Sequence, residues 1–114
     1  MAKRVSRVNE LIKEEIAKII FRELDLSPDI LVTVTRVETS VDLEDSSVFI
    51  SVWPGDKLQI VVDILNKMIY SLQQKLNRKL RMRPIPKIKF LKEKLTVEAG
   101  EIEGILEQLK NKAT

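Results

Sequence analysis

An α+β fold is predicted by three features of this 114-residue chain: two long segments with apolar residues at helical spacing, three short segments in which apolar and polar residues alternate, and turn-forming residues between them. The predicted order is helix, strand, strand, helix, strand and short helix. Three strands make a sheet with one face to cover, and the first two helices carry the apolar stripes to cover it.

Residues 4–24 place Val5, Val8, Leu11, Ile12, Ile16, Ile19, Ile20 and Leu24 at three- and four-residue steps, with Glu and Lys between them. This is an amphipathic helix, ended by Asp25, Ser27 and Pro28. Residues 31–41 are rich in β-branched side chains and form a strand. Strict alternation puts Val32 and Val34 on one face and Val37 on the other, so a bulge or a change of face is expected near Thr35. Residues 41–46 are polar and turn the chain. Val48, Ile50 and Val52 then alternate against Phe49, Ser51 and Trp53, giving a second strand antiparallel to the first.

Pro54-Gly55-Asp56 breaks that strand, with Asp56 placed to cap the next helix. Leu58, Val61, Leu65, Met68, Leu72, Leu76 and Leu80 keep a helical rhythm, widened by Ile64 and Ile69. No Gly or Pro lies between Gly55 and Pro84, so one helix is expected, straight or bent at Tyr70-Ser71. Pro84 and Pro86 end it, and residues 85–91 alternate Ile88 and Phe90 against Lys87 and Lys89 as a third strand. Ile102, Ile105, Leu106 and Leu109 mark a short helix over residues 101–110, and the last four residues are expected to fray. With no internal repeat and no low-complexity linker, residues 1–114 read as one domain.

The composition excludes several kinds of chemistry. The chain has no His and no Cys, which removes histidine general-base catalysis, cysteine nucleophiles, zinc sites built on thiolate or imidazole, and disulfides. Absence of Cys suits a cytoplasmic protein. Gly55, Gly100 and Gly104 are the only glycines, too few and too dispersed for a phosphate-binding glycine loop. Ser40, Ser46, Ser47 and Ser51 have no His to activate them. Asp42, Glu44 and Asp45 lack the spacing of a calcium loop and read as an exposed turn. No catalytic residue, no metal ligand and no cofactor are therefore expected, and the chain is not read as an enzyme. Its apolar runs are far shorter than the roughly 20 residues that span a bilayer, and no export signal or membrane partner is expected.

The charge is unevenly distributed. Residues 23–56 hold 8 acidic and 1 basic side chain, whereas residues 67–94 hold 10 basic and 1 acidic. The basic stretch contains only Tyr70 and Phe90 as aromatics, so it suits phosphate contact with folded RNA better than stacking on unpaired bases. The competing reading is a solvated helix face followed by an edge strand guarded by lysines.

Several segments together resemble the ribosome-binding factor A family. They are RVSRVNELIKEEIAKII at residues 4–20, VTVTRVETSVDL at 32–43 with Ser47-Val48-Phe49-Ile50-Ser51-Val52 after it, and LRMRPIPKIKF at 80–90. The resemblance implies a KH-like fold of the second type, α-β-β-α-β with the second helix kinked or straight. It also implies a factor that binds the small ribosomal subunit and its precursor rRNA, promotes late maturation and processing, matters most in the cold, and is no enzyme. Where the family usually has Ala-x-Gly as a kink, this chain has Met68-Ile69-Tyr70, and Gln73 stands where an Arg is usual. The family lacks the Gly-x-x-Gly loop with which ordinary KH domains clamp single strands.

The expected RNA-binding residues are Lys75, Arg78, Lys79, Arg81, Arg83, Lys87 and Lys89, with Arg4 and Arg7 adding a contact if the first helix lies alongside. The expected form is a cytoplasmic monomer. Two other readings stand beside it: a generic KH-type module for single-stranded RNA, and a protein-interaction domain that presents an exposed apolar face of the 58–80 helix.

Overall fold

The computed structural model describes residues 2–93. The elements run α1 (Ala2–Glu23), β1 (Leu31–Thr39), β2 (Asp45–Trp53), a 3-10 turn (Gly55–Lys57), α2 (Leu58–Lys67), α3 (Ile69–Lys79) and β3 (Lys87–Lys92). The helix expected over 101–110 lies outside the described residues. The fold is α+β and KH-like. Its sheet has the order β1-β2-β3, with β1 antiparallel and β3 parallel to β2. A parallel partner requires a crossover, which is what α2 and α3 provide.

One face of the sheet is buried under the helices. Val8, Ile12, Ile16, Ile19 and Ile20 of α1 meet Val34 and Val37 of β1, Val48, Ile50 and Val52 of β2, and Ile88 and Phe90 of β3 in one core. Each such side chain contributes about 1.5–3 kcal/mol through burial. Ser46 is the buried polar residue of this layer. Its hydroxyl is satisfied by Thr39 Oγ1 at 2.7 Å, directly across the strand pair, and Thr39 Oγ1 also donates to Asn9 Oδ1 at 2.6 Å. That chain of contacts seats the first third of α1 on the end of the sheet where β3 begins, because Ser46 also pairs with Ile88.

The pairing of β1 with β2 slips by one residue between Val34 and Arg36. Strict alternation would have turned Val37 outward. The bulge at Thr35 returns it to the core, where it is buried beside Val34. The following turn is held by side chains. Ser40 Oγ donates to Asp42 Oδ1 at 2.6 Å, and the Glu44 N–H donates to the same carboxylate at 3.1 Å. Leu43 takes the left-handed conformation, φ 62°, and is half-buried against the core.

Two expectations about the second helix are corrected. Asp56 does not cap it: Asp56 lies inside the 3-10 turn, and Lys57 occupies the cap position with no side-chain hydrogen bond. Nor is it one helix. It breaks at Met68, where φ −95° and ψ 9° interrupt the helical path, two residues before the anticipated bend. The Met68 N–H is shared between the carbonyls of Ile64 and Leu65, both at 3.1 Å, which tightens the last turn of α2. No glycine is needed because both halves are fastened to β3. Asn66 of α2 receives the Phe90 N–H at 3.1 Å and donates to the Phe90 carbonyl at 3.0 Å. Gln73 of α3 receives the Ile88 N–H at 2.9 Å and donates to the Pro86 carbonyl at 3.1 Å.

Two measurements check this description. Phe90 is 1% exposed and Phe21 is 87% exposed, so Phe90→Ala is expected to cost about 3–5 kcal/mol in urea unfolding and Phe21→Ala less than about 0.5. The Ser40 and Glu44 hydrogen bonds hold the Asp42 carboxyl below its usual range. A depressed carboxylate stabilises the fold at neutral pH and loses that contribution as pH falls through its lowered value. Urea midpoints from pH 6 down to pH 2 are therefore expected to fall less steeply in Asp42→Asn than in the wild type.

Candidate nucleic-acid interface

The basic residues sort by the element that carries them. On α3, Leu72 and Leu76 face the core and Arg78 lies on the outer side of the helix, whereas Lys75 and Lys79 border the buried stripe, each three residues from one of the two leucines. Arg78 and Lys79 are exposed and form no ion pair within 4 Å among the described residues. They occupy the last turn, where the carbonyl end of the helix favours positive charge. Lys75 is partly covered, with its Nζ 4.0 Å from a Glu23 carboxylate oxygen at the end of α1.

Leu80 leaves the helix in extended conformation and buries itself, which puts Arg81 outward. Arg83 turns back on the chain: its Nη1 donates to the carbonyls of Leu80 at 3.3 Å and Met82 at 2.6 Å. Its remaining guanidinium N–H groups keep their donor capacity. Arg78, Lys79 and Arg81 thus make a short cationic corner of exposed side chains with no ion pair among the described residues.

Lys87 and Lys89 stand elsewhere. In β3 the alternate residues Ile88 and Phe90 face the helices, so the two lysines project from the open face of the sheet. Their neighbours there are acidic or neutral: Lys87 pairs with Asp45 and Lys89 with Ser47, whose other partner is Glu38. Lys89 borders a shallow depression with Glu38 and Asp45. The basic run of the sequence is therefore not one surface stripe but two groups, joined through the connector between α3 and β3.

Arg4 and Arg7 are exposed on the first turns of α1. The helix does pack against α3, but its contact with Lys75 is made by Glu23, 19 residues beyond Arg4 and so about 28 Å along the axis. The two arginines instead share the end of the sheet where Thr39, Ser46 and Ile88 lie abreast. That is the end from which Lys87 emerges.

One cation went unremarked in the sequence because it stands alone in the acidic half. Arg36 lies over the Phe49 ring, 3.8 Å from its centroid. Its Nε and Nη2 donate to the two Glu93 oxygens at 2.9 and 3.2 Å, and its Nη1 donates to Glu38. Thr35 Oγ1 donates to Glu93 as well, at 2.5 Å. The hydrogen bond to Glu93 is the main reason the guanidinium holds its proton more tightly than usual. Arg36 is thus committed to carboxylates of its own chain and fastens the end of β3 across to β1. The Glu93 side chain is only 6% exposed.

Among the described residues no group of three or more acidic side chains could hold a metal ion, and no helix is long and apolar enough to cross a membrane. Most of the apolar stripe of α2 and α3 is spent within the core, where Val61, Val62, Leu65, Leu72 and Leu76 are buried, while Ile60 and Tyr70 on the same helices are exposed.

A KH-like domain with exposed cations beside its third strand is a binding module. The family description that matches it is Ribosome-binding factor A, over residues 4–106, and the chain belongs to that family. Its relatives include the ribosome-binding factor A of Thermodesulfovibrio yellowstonii, 33% identical over 95% of this chain and 92% of the relative. The factor from Synechocystis is 29% identical, over 95% and 84%. Among solved structures, the crystal structure of the factor from Thermus thermophilus superposes with a TM-score of 0.66 at 26% identity, covering 77% of this chain and 94% of that one. A homology model of the Thermus thermophilus factor, fitted into an electron cryo-microscopy map of a 30S complex, gives a TM-score of 0.57 at 26% identity, covering 81% and 93%.

Replacing Arg36 by Met takes two charge-assisted hydrogen bonds from the nearly buried Glu93 carboxylate. The expected loss is about 1–3 kcal/mol in urea unfolding, against less than about 0.5 for Arg78→Gln, whose side chain contacts mainly water.

Proposed function

We propose that this protein binds the small ribosomal subunit by laying its cationic side chains on folded precursor rRNA, and that it thereby promotes late maturation and processing of that RNA. The observation that carries this reading is the exposed trio Arg78, Lys79 and Arg81, without an ion pair among the described residues, on a chain of the ribosome-binding factor A family. Lys75 and Arg83, partly engaged within the protein, extend the trio. Lys87 and Lys89 supply a second contact around the β3 edge, and Arg4 and Arg7 a third at the same end of the sheet.

Three groups set at different angles suit a folded RNA surface, whose phosphates converge from several helices, better than one extended strand. The fit of the Thermus thermophilus homologue into a 30S complex supports the choice of subunit. The generic single-strand reading has less support, because no Gly-x-x-Gly occurs in the chain and the described cationic corner contains no aromatic platform. The action is that of a binding factor: it biases the RNA toward one arrangement by holding that arrangement more tightly than its alternatives. In this reading the protein works as a monomer in the cytoplasm, and its contribution is largest in the cold, where misfolded RNA escapes slowly.

The test removes charge without touching the core. Arg78→Gln, Arg81→Gln and Lys89→Gln together are expected to weaken co-sedimentation with small subunits by about tenfold or more. They should flatten the dependence of log affinity on log salt by about 2–3, taking roughly 0.9 per phosphate contact. The urea midpoint should stay in place. Unchanged co-sedimentation would move the interface to another part of the molecule.

A further inference from the structure

The two edges of the sheet are finished differently. Along β3 the outward backbone groups are capped by helix side chains, with Gln73 on the Ile88 N–H and Asn66 on the N–H and carbonyl of Phe90. Along β1 no side chain hydrogen-bonds to the strand's backbone among the described residues, and its one neighbour there is β2. An uncapped edge is a template for another strand.

Beside that edge lies an open cleft of about 420 Å³ between α1 and β1, with an apolar wall that includes Ile20, Phe21, Leu31 and Val34. Phe21 is 87% exposed and Leu31 64%, and Leu31 pairs across the sheet with Trp53, which is 69% exposed. Leu31 and Trp53 lie on the open face of the sheet, since Val32 and Val52 beside them face the core, and Phe21 stands on the helix side, so exposed apolar side chains flank this end of the β1 edge on both faces.

The rim has a sign. The chain between α1 and β1 carries Asp25 and Asp29 and no cation, and neither aspartate is ion-paired among the described residues. Further along the same edge, Glu10 and Glu14 outnumber Lys13 around Val34. Arg22, at the end of α1, is the cation nearest the aspartates in the chain. A polyanion would be repelled at such a place, and a polybasic strand would be attracted.

We propose that the β1 edge is a docking site for an extended basic peptide that adds a fourth strand to the sheet. Its backbone pairs with β1, alternate apolar side chains enter the cleft beside Phe21 and Leu31, and its Lys or Arg side chains meet Asp25 and Asp29. This is a protein contact made by the acidic half of the molecule, independent of the cationic corner proposed for RNA.

The test uses the full chain, labelled with 15N, and an eight-residue peptide alternating Lys and Val. Addition of this peptide is expected to shift the amide signals of β1 and of the 24–30 segment. Replacing Lys by Glu in the peptide should weaken binding by about tenfold, and a central Pro, which cannot pair, should abolish the β1 shifts. Phe21→Ser and Leu31→Ser, both at exposed positions, should each weaken binding by about tenfold, and Asp25→Asn with Asp29→Asn should remove the preference for Lys over Glu. The variant lacking Arg78, Arg81 and Lys89 charges should bind the peptide normally, which separates this site from the RNA reading. Equal binding of the Glu peptide, shifts that avoid β1, or displacement of the β1 signals by an oligoribonucleotide would overturn the proposal. So would a concentration-dependent dimer in sedimentation equilibrium that occupies the same amides, since the occupant would then be a second copy.

Discussion

Two side-chain amides decide where the third strand sits. β3 is six residues long and lies at the edge of the sheet, a position where backbone groups without partners either face water or invite another chain. Asn66 and Gln73 reach from successive helices to the outward groups of Ile88 and Phe90 and act as a substitute for a fourth strand. The same bonds fasten α2 and α3 at different points along β3, so the crossover cannot run as one straight rod. The break at Met68, the seating of Phe90 in the core and the outward aim of Lys87 and Lys89 follow from this attachment.

The second organising feature is the separation of charge along the chain, which the fold converts into separate surfaces. The acidic half forms the β1–β2 hairpin and the loop leading into it. The basic half forms α3, its connector and β3. Where the halves meet, the chain neutralises itself: Arg36 is held by Glu93 and Glu38, and Lys75 leans on Glu23. Among the described residues, Arg78, Lys79 and Arg81, and likewise Asp25 and Asp29, form no ion pair. This division gives the molecule surfaces of opposite charge.

Polar satisfaction inside the sheet shows the same economy. The buried Ser46 hydroxyl has Thr39, and Thr39 has Asn9. Each is a short polar side chain placed where an apolar one would leave a backbone or hydroxyl group without a partner.

The class of fold, the helical stripe of α1 and the alternation in β2 and β3 were legible in the chain because burial selects apolar residues at the period of each element, and that period is local. The KH-like order and the family were carried by motifs at 32–52 and 80–90, and the abundance of cations after residue 67 is plain composition. The slip at Thr35 could be suspected, since Val37 falls out of phase, but whether it was a bulge or a change of face depended on what lay beneath. The break at Met68, the role of Gln73 and the division of the basic run between two faces were set by contacts with β3, whose bonded residues are 15 to 24 positions along the chain from their amide partners. Periodicity reports which side of a segment is buried, whereas hydrogen bonds between segments fix where that segment ends and which way its outer side points.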